Sequence, residues 1–133
     1  MNRSPGHQKW PEHRVREYPI SESVRVSASG ELIAESSQAV EVREDGQPER
    51  YYLPRQDVRM DKLRPSSTTT DCPFKGRASY FSIDLGGEVL EDAAWSYEAP
   101  YDEHAALRGH IAFGGEAPEL RVKVGEAPPQ AAP

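Results

Sequence analysis

Residues 77–97 read RASYFSIDLGGEVLEDAAWSY, and this stretch decides the fold class of the 133-residue chain. Arg77 to Asp84 is rich in aromatic and other strand-favouring residues. Gly86 and Gly87 then provide a turn, and Glu88 to Tyr97 form a returning strand. The stretch therefore predicts an antiparallel hairpin.

Similar patterns lie on both sides of this hairpin. Alternating apolar and polar residues, separated by turn residues, predict more short strands. The predicted strands are Val24–Ser27, Leu32–Ala34, Val40–Arg43, Arg50–Leu53, His110–Phe113 and Leu120–Val124. Short helices are predicted from Asp57 to about Leu63 and from Asp102 to Arg108, because acidic residues open both segments. The pattern predicts a mostly β domain with one or two short helices.

The composition predicts one domain between two tails. A chain of 133 residues can bury one core. Residues 1–10 and 125–133 contain few apolar side chains, so we expect flexible tails there and a single β domain at 11–124. The N-terminus has no apolar signal segment, and no run is long enough for a membrane helix. Cys72 is the single cysteine, so no disulfide within the chain is expected. Together these features predict a cytoplasmic protein that has no membrane partner.

The charge is unevenly distributed. The net charge is −6, which argues against a nucleic-acid partner because phosphates would be repelled. Residues 50–77 are the exception, with 7 basic and 3 acidic residues. This segment either holds a small anion or consists of solvated cations paired with acidic residues elsewhere.

The residues that carry chemistry do not form a known metal or phosphate motif. One cysteine and four scattered histidines do not have the spacing of a structural zinc site, so neither metal nor cofactor is expected. The polar stretch Pro65–Gly76 is predicted to be a long loop, and such loops are often functional. It contains Cys72, whose thiol Lys75 and Arg77 could activate, although a buried structural cysteine is the alternative.

The aromatic residues are the stronger signal. Period-2 spacing predicts that Ala93, Trp95 and Tyr97 share one strand face, where they would wall a pocket. Arg55 and Lys75 could add cationic donors to such a pocket. The alternative is that these aromatic residues belong to the core.

Three motifs support a family resemblance. They are YLPRQDV at 52–58, TTDCPFKGRASY at 69–80 and AWSYEAP at 94–100, followed by GHIAF at 109–113. With these motifs the chain resembles, from about Val24 to Phe113, the bacterial and fungal family called domain of unknown function 427. The family is sometimes labelled nucleotidyltransferase-like, but this sequence has no Gly-Ser followed by D-x-D.

The resemblance implies a β-tent-like fold, in which two antiparallel sheets are splayed apart. Zinc-bearing relatives of that fold include the drug-binding domain of cereblon and methionine sulfoxide reductase B. Their paired C-x-x-C motifs are missing here, so no zinc carries over. The resemblance implies a site at Tyr52, Pro54, Arg55, Asp57, Thr70, Cys72, Lys75, Gly76, Trp95 and Tyr97, without assigning a role to any of them.

Three functions are compatible with these observations. The first is binding of a small polar or anionic molecule by Tyr52, Arg55, Thr70, Lys75, Trp95 and Tyr97. The second is an enzyme with Cys72 as nucleophile or redox residue, Lys75 tuning it and Asp57 orienting it. The third is a structural or protein-interaction domain. Exposed edge strands would also permit a homodimer.

Overall fold

Strands dominate the computed structural model, which describes residues 3–114 and 117–125. The chain begins with helix α1 (Pro5–Lys9). The strands follow as β1 (Val15–Pro19), β2 (Val24–Ala28), β3 (Glu31–Ser36), β4 (Val40–Glu44), β5 (Arg50–Leu53), β6 (Leu63–Cys72), β7 (Gly76–Asp84), β8 (Val89–Tyr97), β9 (Ile111–Phe113) and β10 (Leu120–Val124). Three 3₁₀ turns lie at Arg55–Asp57, Met60–Lys62 and Asp102–Leu107.

The described strands form two antiparallel sheets. The seven-stranded sheet has the order β1-β4-β5-β9-β8-β7-β6, and the three-stranded sheet has the order β10-β2-β3. The hairpin of residues 77–97 is confirmed, with Ala78 opposite Tyr97 and Tyr80 opposite Trp95. The predicted mostly β class with two antiparallel sheets is therefore confirmed.

The main core lies between the sheets. Val24, Val26 and Ile33 of the small sheet are fully buried with Leu53 and Ile111 of the large sheet. In β5 and β9, neighbouring residues alternate between this core and the opposite face of the large sheet. Both faces of the central strands are therefore buried, which explains their continuous apolar sequence.

A second apolar cluster covers the opposite face of the large sheet, which we call the outer face. Tyr52, Tyr97 and Ala112 belong to it, together with Phe74 and Leu107 from the connecting segments. Backbone and side-chain contacts of α1 reach the Phe74 loop from the N-terminal side. This outer face carries the candidate site described below.

Several local predictions were wrong. Residues Leu63–Cys72 form strand β6 rather than a long loop, and only Pro73–Lys75 remain as the connection to β7. β6 is an edge strand whose side chains are mostly exposed, so its sequence lacks apolar alternation. The helix predicted from Asp57 is two 3₁₀ turns, and the one predicted from Asp102 is a 3₁₀ turn that ends at Leu107.

The N-terminal segment contains a short helix. Residues 5–9 of the expected flexible tail form α1, because Ser4 caps the helix and Gly6 packs tightly against the loop at Pro73. Strand β1 was not predicted at all. Of the expected C-terminal tail, residues 126–133 lie outside the described residues.

Candidate functional site

A cavity of about 290 Å³ opens on the outer face of the large sheet. Its lining is Val42, Glu44, Gln47, Pro48, Arg50, Tyr52, Lys75, Tyr80, Asp92, Trp95 and Tyr97. The register of the sheet explains the cavity, because Ala112 of β9 lies directly between Tyr52 of β5 and Trp95 of β8. The small alanine leaves space between two large rings, and Tyr80 continues the row beyond Trp95.

The aromatic rings at the floor are fixed by a hydrogen bond. Trp95 Nε1 donates to the hydroxyl of Tyr52 at 3.0 Å, and the ring of Tyr97 lies 6.3 Å from that of Tyr52. Burial raises the pKa values of both phenols well above the ordinary value of 10. Both hydroxyls therefore keep their protons at neutral pH and are available as hydrogen-bond donors.

One wall of the cavity is a charged chain of three residues. Lys75 Nζ contacts Glu44 Oε1, and His13 Nε2 bonds Glu44 Oε2 at 2.9 Å. Burial alone would raise the pKa of Glu44, but the hydrogen bonds from Lys75 and His13 outweigh it and hold this pKa below its ordinary value. The Lys75 side chain is only 9% exposed and its ammonium lies 5.9 Å from the ring centroid of Tyr97.

Arg50 contributes a second cation. It lies two residues before Tyr52 in β5, so both side chains are on the same face. Its guanidinium carbon is 5.3 Å from the ring centroid of Trp95. Gly114 makes this position possible, because a Cβ there would lie 2.4 Å from Arg50 Nη1 and 3.0 Å from Trp95 Cη2.

Arg50 differs from the other cations of the positive segment. Within residues 3–114 and 117–125, six of the seven basic residues of 50–77 form ion pairs, whereas Arg50 forms none. The pairs are Arg55–Glu98, Arg59–Asp61, Lys62–Glu31, Arg64–Asp84, Lys75–Glu44 and Arg77–Asp71. These six cations therefore fit the interpretation that the positive segment consists of cations paired with acidic residues.

Asp92 lies on the cavity lining with an unusual backbone. Its φ is +51°, a conformation that non-glycine residues rarely adopt, and it lies within the register shift between β7 and β8. Thr68 Oγ1 donates to Asp92 Oδ2 at 2.8 Å. The same bulge changes the face of Ala93, which packs in the core between the sheets and does not share a face with Trp95 and Tyr97 as predicted.

The structure brings together four of the six predicted ligand-binding residues. Tyr52, Lys75, Trp95 and Tyr97 line the cavity. Thr70 lies beside it and bonds the hydroxyl of Tyr80 at 3.2 Å. Arg55 does not line it, because its guanidinium pairs with Glu98 and lies 5.9 Å from the ring of Phe81.

The three predicted catalytic candidates are not assembled in one place. Cys72 and Lys75 are neighbours, since Lys75 N donates to Cys72 Sγ at 3.4 Å. Asp57 instead accepts a hydrogen bond from Ser36 at 2.6 Å and lines a separate groove beside β3. Asp57 is thus placed to hold the 3₁₀ turn, and the structure does not bring it to Cys72.

Among the lining residues that sequence reasoning missed, three are charged: Glu44, Arg50 and Asp92. Arg50 had a readable signal, because it precedes Tyr52 by two residues in a predicted strand. Asp92 had none, since its position depends on a bulge that no residue pattern announced. Both carboxylates of the lining already accept hydrogen bonds, Glu44 from Lys75 and His13 and Asp92 from Thr68. Arg50 beside the phenol hydroxyls therefore provides donors that suit an anion or a carbonyl-bearing molecule.

Neither a metal-holding group nor a membrane-spanning helix is present among the described residues. In the part of the chain that the structure covers, no three His, Cys, Asp or Glu side chains are grouped to hold a metal ion. No described helix has both the length and the apolar character needed to cross a membrane.

Comparison with known families identifies the family of this chain. The family described as Domain of unknown function (DUF427) matches residues 16–125, which is most of the chain, so the chain belongs to this family. No curated protein matches the chain.

Proposed function

We propose that this DUF427 domain binds a small anionic molecule with a flat apolar part in the cavity between Tyr52, Trp95 and Lys75. The observation that carries the proposal is Arg50. It is a half-buried cation on the cavity lining, and it pairs with no carboxylate in residues 3–114 and 117–125.

The geometry supports an anion at one position. The positive charge of Lys75 is already balanced by Glu44, so its ammonium mainly lines the cavity and donates hydrogen bonds. Arg50 has no carboxylate partner among the described residues and offers a planar fork of donors, which matches a carboxylate or phosphate in two parallel hydrogen bonds. We therefore assign the anionic group of the ligand to Arg50.

The apolar part of the ligand would occupy the floor. Tyr52, Trp95 and Tyr97 present ring surfaces there, and aromatic rings bind flat apolar groups with little loss of side-chain freedom. The cavity of about 290 Å³ is at the lower end of ligand sites, which are roughly 300–1,000 Å³. A compact molecule fits this volume better than a nucleotide.

The test uses three probes that differ in one property each. Benzoate has a ring and an anion, benzylamine has a ring and a cation, and inorganic phosphate has an anion without a ring. The chain has two tryptophans, Trp10 and Trp95, so NMR of ¹⁵N-labelled protein shows one indole signal at the site and one away from it. We expect benzoate to shift the Trp95 indole signal saturably and more strongly than the other two.

A variant pair makes the test specific. Arg50→Met should weaken benzoate binding at least about tenfold, as expected for losing a charge-assisted hydrogen bond of about 1.5–3 kcal/mol. Arg77→Met removes an exposed cation of the same type that pairs with Asp71, and should leave binding unchanged. Equal effects of the two variants, or equal shifts from benzoate and benzylamine, would refute the proposal.

A melting experiment gives an independent measure. Benzoate at ten times its dissociation constant should stabilise the protein by about 1.4 kcal/mol. For a domain of this size, that corresponds to roughly 4–6 °C in melting temperature.

The β-tent arrangement, the cytoplasmic location and the homodimer stay predictions beside this proposal.

A further inference from the structure

Helix α1 is attached to the short loop that carries Lys75. The backbone carbonyl of Pro73 accepts two hydrogen bonds, from Gly6 N at 2.7 Å and from Ser4 Oγ at 2.9 Å. Gly6 allows this approach because a Cβ at that position would lie 2.6 Å from the same oxygen. Since Pro73–Lys75 connect β6 to β7, the helix constrains the segment from which Lys75 enters the cavity.

A contact between two imidazoles attaches the helix to the 3₁₀ turn at Asp102–Leu107. His7 Nε2 lies 2.8 Å from His104 Nε2, and His104 Nδ1 lies 2.6 Å from Glu17 Oε2. His104 is only 2% exposed, and the ring of His7 also packs edge-on against Phe74 of the loop. Histidines of two separate segments thus meet at the point where the helix contacts the loop.

The hydrogen bond between the two Nε2 atoms has room for only one proton. One Nε2 donates and the other must accept, so the bond requires at least one neutral ring. If both rings are protonated, two N–H groups face each other and two positive charges lie in contact. The geometry itself therefore makes this attachment sensitive to pH.

We propose that the His7–His104 pair is a pH-sensitive latch, which holds α1 on the Pro73–Lys75 loop at neutral pH and releases it in acid. Release would free Lys75 and Phe74 to move and would weaken ligand binding in the cavity. The effect on binding rests on the proposed function, whereas the latch itself does not.

The charges around His7 agree with the direction of this switch. Glu17 from β1 and Glu103 from the 3₁₀ turn favour its protonated form, whereas burial, His104 and His13 oppose it. Burial is the largest effect, followed by His104, and together they lower the pKa of His7 below its ordinary value of 6.5. The closed latch therefore favours neutral His7. As the pH falls below about 6.5, the ratio of released to closed protein rises by up to about tenfold per pH unit.

The cavity is connected to the latch by a short path. His13 follows α1 in sequence, stacks on Phe74 with ring centroids 4.2 Å apart, and bonds Glu44 at 2.9 Å. Glu44 is the ion-pair partner of Lys75. Movement of α1 and Phe74 would thus reach the wall of the cavity through His13 and through the loop itself.

The test follows ligand-free, ¹⁵N-labelled protein by NMR between pH 7.5 and pH 5.0. The ¹H–¹⁵N heteronuclear NOE of residues 6–9 reports the order of α1, because Pro5 has no amide proton. The Lys75 amide and Trp95 indole signals report the cavity. We expect the NOE to fall in acid and the two cavity signals to shift with the same midpoint. No change in the NOE over this pH range would overturn the latch.

Two variants separate the latch from general acid effects. His7→Gln keeps a side-chain amide donor without a titrating group, so the transition of α1 between pH 7.5 and 5.0 should disappear. His110→Gln changes a histidine whose ring bonds the carbonyl of Arg108, away from α1, and should keep the transition. A transition that persists in His7→Gln, or disappears in His110→Gln, would overturn the assignment to His7.

Benzoate then tests the link to binding. In the wild type, its dissociation constant should rise several-fold from pH 7.5 to pH 5.0, and in His7→Gln it should stay constant. Failure of benzoate to bind at any pH would count against the proposed function, while the NOE would still decide on the latch. Acid release of α1 with unchanged Lys75 and Trp95 signals would refute the link between latch and cavity.

Discussion

Replacing Lys75 by methionine should destabilise the domain through the carboxylate that it leaves behind. Methionine has a similar length but no charge, so Glu44 would keep only His13 as a partner. Removing one partner of a buried ion pair costs about 3–5 kcal/mol, and we expect about 3 kcal/mol because the Glu44 side chain is still 12% exposed. That loss corresponds to roughly 10 °C in melting temperature for a domain of this size.

The pH dependence of this loss identifies its origin. In the wild type the lowered pKa of Glu44 contributes stability above the unfolded pKa of 4.5, and this contribution is lost as the pH falls through the folded value. Without Lys75 the pKa of Glu44 rises, because burial is then opposed by His13 alone. The penalty of Lys75→Met should therefore be largest at pH 7.5 and fall by at least half at pH 4.

Urea denaturation followed by circular dichroism at the two pH values measures both quantities. Lys62→Met is the matched control, because Lys62 pairs with Glu31 at side-chain exposures of 27% and 37% and should lose less than about 1 kcal/mol. Adding Glu44→Gln to Lys75→Met should recover most of the lost stability. A penalty equal at both pH values, or a double variant as unstable as the single one, would refute the reasoning.

Three further substitutions test the packing around the cavity and α1. Tyr52→Phe removes the acceptor of the Trp95 indole and should cost about 1–3 kcal/mol in urea denaturation; a cost no larger than that of Tyr18→Phe would contradict this. Gly6→Ala should release α1 and increase trypsin cleavage near the N-terminus, because its Cβ would lie 2.6 Å from a loop carbonyl; unchanged cleavage would show that the loop accommodates a methyl group. Gly114→Ala should displace the flexible Arg50 side chain and weaken benzoate binding several-fold, with little change in melting temperature; unchanged binding would place the anion elsewhere.

Most strands with a buried face could be predicted from the sequence, with β1 as the exception. β2, β4, β7 and β8 alternate or concentrate apolar residues because one face of each contributes to the core. The edge strand β6 could not be predicted, because its exposed Ser and Thr side chains look like a loop and its hydrogen bonds come from β7. Helix α1 was missed for a related reason: its five residues bury backbone atoms rather than an apolar side-chain face.

The cavity was predictable only where strand periodicity holds. Trp95 and Tyr97 were found because aromatic residues at alternating positions share a face, whereas Tyr52 came from the family motif at 52–58. Asp92 and the displaced Ala93 were not, since the bulge in β8 breaks that alternation.

The motif residues divide into two groups that a family pattern cannot separate. Tyr52, Lys75, Trp95 and Tyr97 line the cavity, whereas Asp57 holds a 3₁₀ turn and Gly76 adopts a φ of +124° that other residues rarely reach. Substitutions in the second group should lower stability and affect the cavity only indirectly. Substitutions such as Arg50→Met and Gly114→Ala, at positions outside the quoted motifs, should affect binding while the fold persists. Binding changed at these two positions without loss of stability would therefore separate a ligand site from a purely structural role of the motifs.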